Sequence, residues 1–354
     1  MPRITPSAAR LLVRPGVRYA CQGDGLCCTD VHVVGPLSSR DAARVRAFRP
    51  GAVAVHRSLQ VLVVRDVGGR CALFDGGCSL HRAQGERAKP RACREFPLGV
   101  VATPLGLRVT TQHRCPCRTL GERPPLTVED AARSLVDARG RVRADQRVSR
   151  VRLTPARPAS FARYVERERV TLAALGTRAP PEVALGARAL PSLGDVGWAD
   201  VGHHLRGSFD GTSCGAALAW MGGALIALAG GRAPRPPART WAGCFDAAER
   251  RSPVARDVDE LLADFAADVV WGLEWSGESS LEGALAELAT RLAAARWIIG
   301  ELTALGVRAD RAAAEAVMVA ELAAASPSWP AVRRAIDAGL CSPARASLRS
   351  SRRR

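Results

Sequence analysis

The stretch CQGDGLCC, residues 21–28, puts three cysteines and one aspartate into a single short loop. Gly23 and Gly25 flank Asp24. Glycine reaches backbone conformations closed to other residues, so such a loop can turn back and aim short side chains at one centre. Reading outward, the other sulfurs follow as Cys71, Cys78, Cys93, Cys115 and Cys117, so eight of the chain's 11 cysteines lie between positions 21 and 117. Thiolates gathered in this way suit soft or borderline metals, because sulfur donates charge well to zinc, iron and copper(I). Mononuclear structural zinc is usually gripped by C-x2-C hooks, and the sequence has none. It has instead the vicinal pair Cys27 and Cys28. Neighbouring thiolates close an awkward ring on one ion and more easily reach two metals or two corners of a cluster. The pattern favours an iron–sulfur or polynuclear centre over a zinc ribbon.

The opening residues MPRITPSAARLLVRPGV contain no apolar segment long enough for a signal peptide, so a cytoplasmic chain is expected. In a reducing compartment, clustered cysteines read as metal ligands or redox centres rather than structural disulfides. The net charge is +17 and rests almost wholly on arginine, with Lys89 the one lysine. Residues 1–120 carry 19 basic and 7 acidic side chains, and residues 345–354 carry five arginines and no acid. Residues 121–344 balance at 27 of each sign. The positive excess thus travels with the cysteines, where it offsets thiolate charge. No basic stripe with interleaved aromatics occurs, so nucleic acid is not an expected partner.

Composition predicts an α+β chain. A small cysteine-rich metal-binding domain of short strands and loops occupies 1–120. Connecting helices and a Pro/Gly-rich linker fill 121–197. A mainly α-helical bundle domain follows at 198–344, with a basic tail at 345–354. In the first part VRYA (17–20), VHVV (31–34), LQVLVVRDV (59–67) and GLRVTT (106–111) have strand character, and a helix over 38–48 takes Ser38 or Ser39 as its cap. Thr127 and Asp130 form a capping-box pattern that opens a helix running to about Ala138. VSRVRL (148–153) reads as strand, and a helix follows near 158–175. Beyond 211 the chain is rich in alanine and leucine, and 254–275, 280–305 and 308–325 space their apolar residues as helices do. The uncharged run GTSCGAALAWMGGALIALAGG (211–231) has the length of a membrane span. Five glycines after Gly211 and few large aliphatics make it a buried bundle helix instead.

With these residues in view, the chain resembles the CxxCxxCC cysteine-cluster family, the YkgJ-type zinc- or iron-chelating domain. Cys21-x2-Asp24-x2-Cys27-Cys28 matches its opening, with Asp24 where the family shows a second cysteine. The run from Cys71 through Cys78 to RACREFP (91–97), and HRCP (113–116), resemble its later blocks. The likeness covers about residues 17–118. It implies a metal centre held by Cys21, Cys27, Cys28, Cys71, Cys78, Cys93 and Cys115. Asp24 takes the place of one ligand as a harder donor, and Cys117 offers a further sulfur. The wider family includes flagellin lysine-N-methylases, which also join such a cysteine set to a helical part.

The remaining candidates carry less. His81 and His113 sit inside the cysteine blocks as alternative or supporting ligands. Arg91 and Arg94 flank Cys93 and can offset its charge. His203 and His204 read as structural, and Cys214 in GTSCG has no base beside it. Cys214, Cys244 and Cys341 fall in helical segments and are expected apart from the other eight. No phosphate-binding glycine loop occurs. The expected function is a metal-binding protein with a cysteine-ligated iron–sulfur or zinc centre in a redox, structural or metal-handling role. The partners are the metal ion and a protein met through the helical part, with no membrane. The alternative is a lysine N-methylase-like modifying enzyme, against which stands the lack of a glycine-rich methyltransferase loop.

Overall fold

A computed structural model describes residues 10–56, 59–137 and 139–341. The basic tail and Ala138 lie outside them. The strands are β1 (Leu11–Val13), β2 (Val53–Val55), β3 (Leu62–Val64), β4 (Asp66–Val67), β5 (Arg70–Cys71), β6 (Leu98–Thr103), β7 (Gly106–Thr111), β8 (Gln146–Arg147), β9 (Arg150–Thr154) and β10 (Arg157–Ser160). Among them come α1 (Ser39–Phe48), α2 (Ser79–Gln84), α3 (Arg91–Glu95), α4 (Pro116–Thr119) and α5 (Val128–Leu135). Helices alone follow: α6 (Phe161–Leu175), α7 (Pro181–Leu185), α8 (Trp198–Gly207), α9 (Ser213–Leu228), α10 (Ala242–Arg250), α11 (Val258–Gly272), α12 (Leu281–Ala304), α13 (Ala309–Ala324) and α14 (Trp329–Cys341). Strands precede helices along the chain, which is the segregation of an α+β protein.

Local signals set several boundaries. Ser38 accepts the Asp41 amide at α1, and Thr127 and Asp130 form the expected capping box at α5. Two expected strands do not form. Arg18 makes only an isolated bridge to Pro125. Val34 accepts a single bond from Val64 before Gly35 and Pro36, and proline has no N–H with which to continue a ladder. The Pro/Gly-rich run at 178–197 contains α7 and buries Leu185 and Leu193 against the helices.

The main sheet has the order β1-β7-β6-β8, with β6 and β7 antiparallel and the outer pairs parallel. Its side chains alternate between two cores, as the period of a strand requires. Val100, Leu107 and Val109 pack with α5, whereas Val101 packs with Phe161, Tyr164, Trp275 and Leu281. Arg108 is buried on that second face. It donates to Glu168 at 2.6 and 2.8 Å and lies over the Trp271 ring. The largest core gathers α8 to α14 and also takes in Leu26, Val31 and Leu120 from the cysteine-bearing part.

Glycine in α9 has a packing reason. A Cβ on Gly222 would stand 2.4 Å from the Gly202 carbonyl oxygen of α8, so the two backbones cross in direct contact. No helix among the described residues is long and apolar enough to cross a membrane. Replacing Gly222 with valine should destabilise the protein by about 1–3 kcal/mol through overpacking, read as a lower urea midpoint.

An ion-pair knot joins sheet to helices. Arg14, just after β1, donates to Asp268 Oδ1 at 2.6 Å and to Asp264 at 2.5 Å. Arg118 of α4 reaches both Asp264 oxygens and Asp268 Oδ2. Thr111 and His113 Nε2 complete the shell of Asp268 at 2.5 and 2.8 Å. Burial opposes the charged form of Asp268, but Arg14 and Arg118 outweigh it and hold the carboxyl well below its ordinary value. Asp264 is likewise pulled down, burial being outweighed by Arg118. For a carboxyl lowered on folding, the stabilisation is full above the unfolded pKa and is lost as pH falls through the folded one. Urea midpoints should therefore drop from about pH 5 downward, and Asp268→Asn should flatten that dependence. An unchanged acid slope in the variant would remove the knot from this role.

Candidate metal centre

The opening loop is shaped by its glycines. Gly23 and Gly25 have φ of 67° and 81°, a region that costs other residues strain. Gly25 also passes so near the Phe74 ring that an added Cβ would lie 3.0 Å from it. The chain then enters a 3-10 turn, Leu26–Cys28. Asp24 performs two tasks in this loop. Its Oδ1 accepts the Leu26 amide at 2.9 Å, a local turn bond. Its Oδ2 accepts the Cys117 thiol at 2.7 Å. The Gln22 amide donates to the same sulfur at 3.1 Å.

Cys117 is brought there by α4, whose first residue, Pro116, suits a helix start because its missing N–H has no partner to lose. Cys115 precedes that helix, and both thiols are buried. Cys21, by contrast, is exposed. Hydrogen bonding to Cys117 foremost raises the Cys21 thiol far above its ordinary range. Cys117 is raised by Cys115, Cys21 acting against that and burial with it. These residues and Asp24 form one sulfur group.

A second group is built from short elements. Cys71 ends β5, Cys78 caps α2, and Cys93 lies in α3. Backbone bonds from Phe74 to the Cys71 carbonyl and from Ser79 to the Leu73 carbonyl fold the Cys71–Cys78 segment into a tight turn. Burial lifts the Cys71 thiol to about 11, with Cys78 and Cys27 adding to the rise. Burial also lifts Cys93, followed by Cys71, while Lys89 opposes them. Cys27 acts electrostatically on both groups. It stands at the exposed edge, with its sulfur 4.0 Å from that of Cys28, a separation well beyond a disulfide bond.

All eight predicted cysteines and Asp24 thus have neighbours within the set, yet their sulfurs do not close to ligand spacing. Among the described residues, the one trio of metal-capable side chains with atoms within 4.8 Å of one another is His113, Asp264 and Asp268. That trio is the ion-pair knot. Both carboxylates already accept from Arg14 and Arg118, so a cation there would have to displace two guanidinium groups. The cysteine set fits a metal better. Hydrogen bonding between thiols, burial and mutual repulsion disfavour its thiolates, and a thiophilic cation favours them by supplying positive charge.

Other expectations change. Cys214 faces Asp210, Asp30 and Arg114, and Cys341 is exposed at the end of α14. Cys244 is not apart. Its buried thiol on α10 is raised by burial, with Arg70 opposing and Asp24 and Cys27 adding to the rise. Nothing in the sequence tells that α10 returns to α4 and the opening loop; Arg251 donating to the Gln22 carbonyl marks that return. Arg91 pairs with Glu95, and Arg94 donates to the Lys89 and Arg87 carbonyls, so Lys89 is the cation acting on Cys93. His81 is exposed, and His113 is tied to Asp268.

No known protein family, curated protein or solved structure matches the chain. The likeness of residues 17–118 to a cysteine-cluster family therefore stands on the motif residues alone.

The double role of Asp24 can be separated. Asp24→Asn keeps an acceptor for the Leu26 amide and removes the charge beside Cys117, whereas Asp24→Ala removes both. If the carboxylate serves the centre, metal content after anaerobic purification should fall in both variants and return in Asp24→Cys. Full metal content in Asp24→Asn would leave Asp24 with the turn alone.

Proposed function

We propose that this chain is a metal-binding protein whose centre is held by Cys21, Asp24, Cys27, Cys28, Cys71, Cys78, Cys93, Cys115 and Cys117. The observation that carries the reading is the convergence of the loop at 21–28 on α4, where Asp24 and Cys117 meet at 2.7 Å. Cys71, Cys78 and Cys93 gather on the other side, and Cys27 acts on both groups. Two sulfur groups sharing a vicinal pair suit an iron–sulfur cluster or a polynuclear zinc site better than one tetrahedral ion, because one ion takes four ligands. When bound, such a group supplies either a one-electron couple or a fixed positive charge that orders the loops.

The protein's own residues have defined parts in this reading. The glycines at 23 and 25 turn the loop, and Gln22 donates its amide to Cys117. Hydrogen bonds to a ligand sulfur stabilise its thiolate and tune the metal behind it. Cys21 and Cys27 leave one edge of the centre open to solvent, the side from which metal or a redox partner arrives. A reducing compartment such as the cytoplasm keeps these thiols free.

Metal uptake by the reduced, metal-free protein should release protons, because the buried thiols are protonated without metal and bind as thiolates. A pH indicator in weakly buffered solution reads the release. Metal and acid-labile sulfide analysis after anaerobic purification then distinguishes the two metals: iron with sulfide indicates a cluster, zinc without sulfide a zinc site. Cys27→Ser should lose most of the metal and Cys214→Ser none. Protein that is folded, reduced and metal-free under all loading conditions would refute the reading.

A further inference from the structure

Where the end of β7 meets α11, α12, α13 and α14, a small crevice of about 20 Å³ enters the protein. It is lined by His113, Phe265, Glu274, Trp275, Arg291 and Arg333 among others. Three of these side chains are almost wholly buried yet carry a nitrogen with no hydrogen-bond partner: His113 Nδ1, Arg291 Nε and Arg333 Nε, at 1%, 2% and 6% exposure, although Arg333 Nε stands 3.9 Å from a Glu287 oxygen. Their other nitrogens are engaged. His113 Nε2 meets Asp268, Arg291 pairs with Glu287 at 2.9 Å, and Arg333 pairs with Glu278 at 3.1 Å. Buried polar atoms are normally satisfied, so three orphans around one void point to something that fills it.

Chemistry narrows the guest. A guanidinium N–H can only donate, so the two arginines require an acceptor. Charge-assisted bonds from arginine favour carboxylate oxygens, and a carboxylate group is small and flat, as so small a void requires. Glu274, exposed at the crevice, makes no hydrogen bond or ion pair among the described residues. It follows Leu273, which turns through a left-handed conformation at φ 57°, and that turn delivers Glu274 to the void. Glu321, by contrast, is committed to the His113 and Arg114 amides at 3.1 and 2.6 Å.

We infer that this crevice is a binding site for a small carboxylate of about the size of formate, held by Arg291 and Arg333, with Glu274 at its mouth limiting affinity by like charge. The site stands apart from the cysteine centre and does not depend on it. Glu321 also ties α13, one wall of the crevice, to the backbone just before Cys115.

The test uses the full chain and carbon-13 formate, followed by saturation-transfer and line-broadening NMR, with methylammonium as the probe of opposite charge. Wild type should bind formate saturably and methylammonium not at all. Glu274→Gln should tighten formate about tenfold, equivalent to about 1.4 kcal/mol. Gly272→Leu, which adds bulk at a residue lining the crevice where a Cβ meets only Thr110, at 3.6 Å, should abolish binding. A melting curve checks that this variant folds; if it does not, Glu274→Gln decides alone. Formate affinity unchanged by Glu274→Gln, no saturable formate binding in wild type or that variant, or methylammonium binding lost on Glu274→Gln would each overturn the proposal.

Discussion

The pair of aspartates on α11 holds this protein together. Asp264 and Asp268 stand one helical turn apart, and they receive Arg14 from the end of β1 and Arg118 from α4. Thr111 and His113 arrive from the end of β7. Breaking a buried ion pair by removing one partner costs about 3–5 kcal/mol, as much as emptying a large core side chain. Its geometry matters as much as its strength. α4 carries Cys117 and the segment after β7 carries Cys115, so the clamp that fixes Arg118 and His113 also fixes two sulfurs of the candidate centre.

The cysteine-bearing part therefore does not stand alone. Leu26, Val31 and Leu120 insert into the core of the helices. Asp30 accepts the Ser213 amide at the start of α9, and Arg123 links the Cys117 carbonyl to Ser252. Each contact crosses between the loops that hold thiols and the helices that hold shape. Loops of this kind have little core of their own, and function placed on loops depends on a rigid scaffold. Here the scaffold is α9 to α13. The crevice lined by His113 and Glu274 is walled by α11 to α13 of the same scaffold.

Much of the site was legible in the sequence because its signals are short-range. Two glycines around Asp24 imply a turned loop, and the loop turns. Ser38 and the Thr127–Asp130 pair announce helix starts, and those helices start there. The period of apolar residues beyond position 254 marks α11, α12 and α13. Legibility failed where a partner distant in the chain decides the outcome. VHVV looks like a strand, but Pro36 and the burial of Val31 among helices prevent the ladder. Cys244 looks remote from the thiol group, but the return of α10 sets it beside Asp24 and Cys27. Arg91 and Arg94 look like counter-charges for Cys93, yet Glu95 and backbone carbonyls take them first.

The sequence alone determined the chemistry on offer: eight clustered sulfurs, a carboxylate in their opening loop, an arginine-rich surround and a helical second half. These follow from residue identity and spacing, which act within a few residues. The tertiary structure decided which groups face each other. It paired Asp24 with Cys117 across 93 positions, tied His113 to Asp268 rather than to sulfur, and left Arg291 and Arg333 each with one nitrogen lacking a hydrogen-bond partner beside a void. Charges and hydrogen bonds are short-ranged in space but indifferent to separation along the chain, so only the folded packing of α4, α11 and the main sheet could assign these partners.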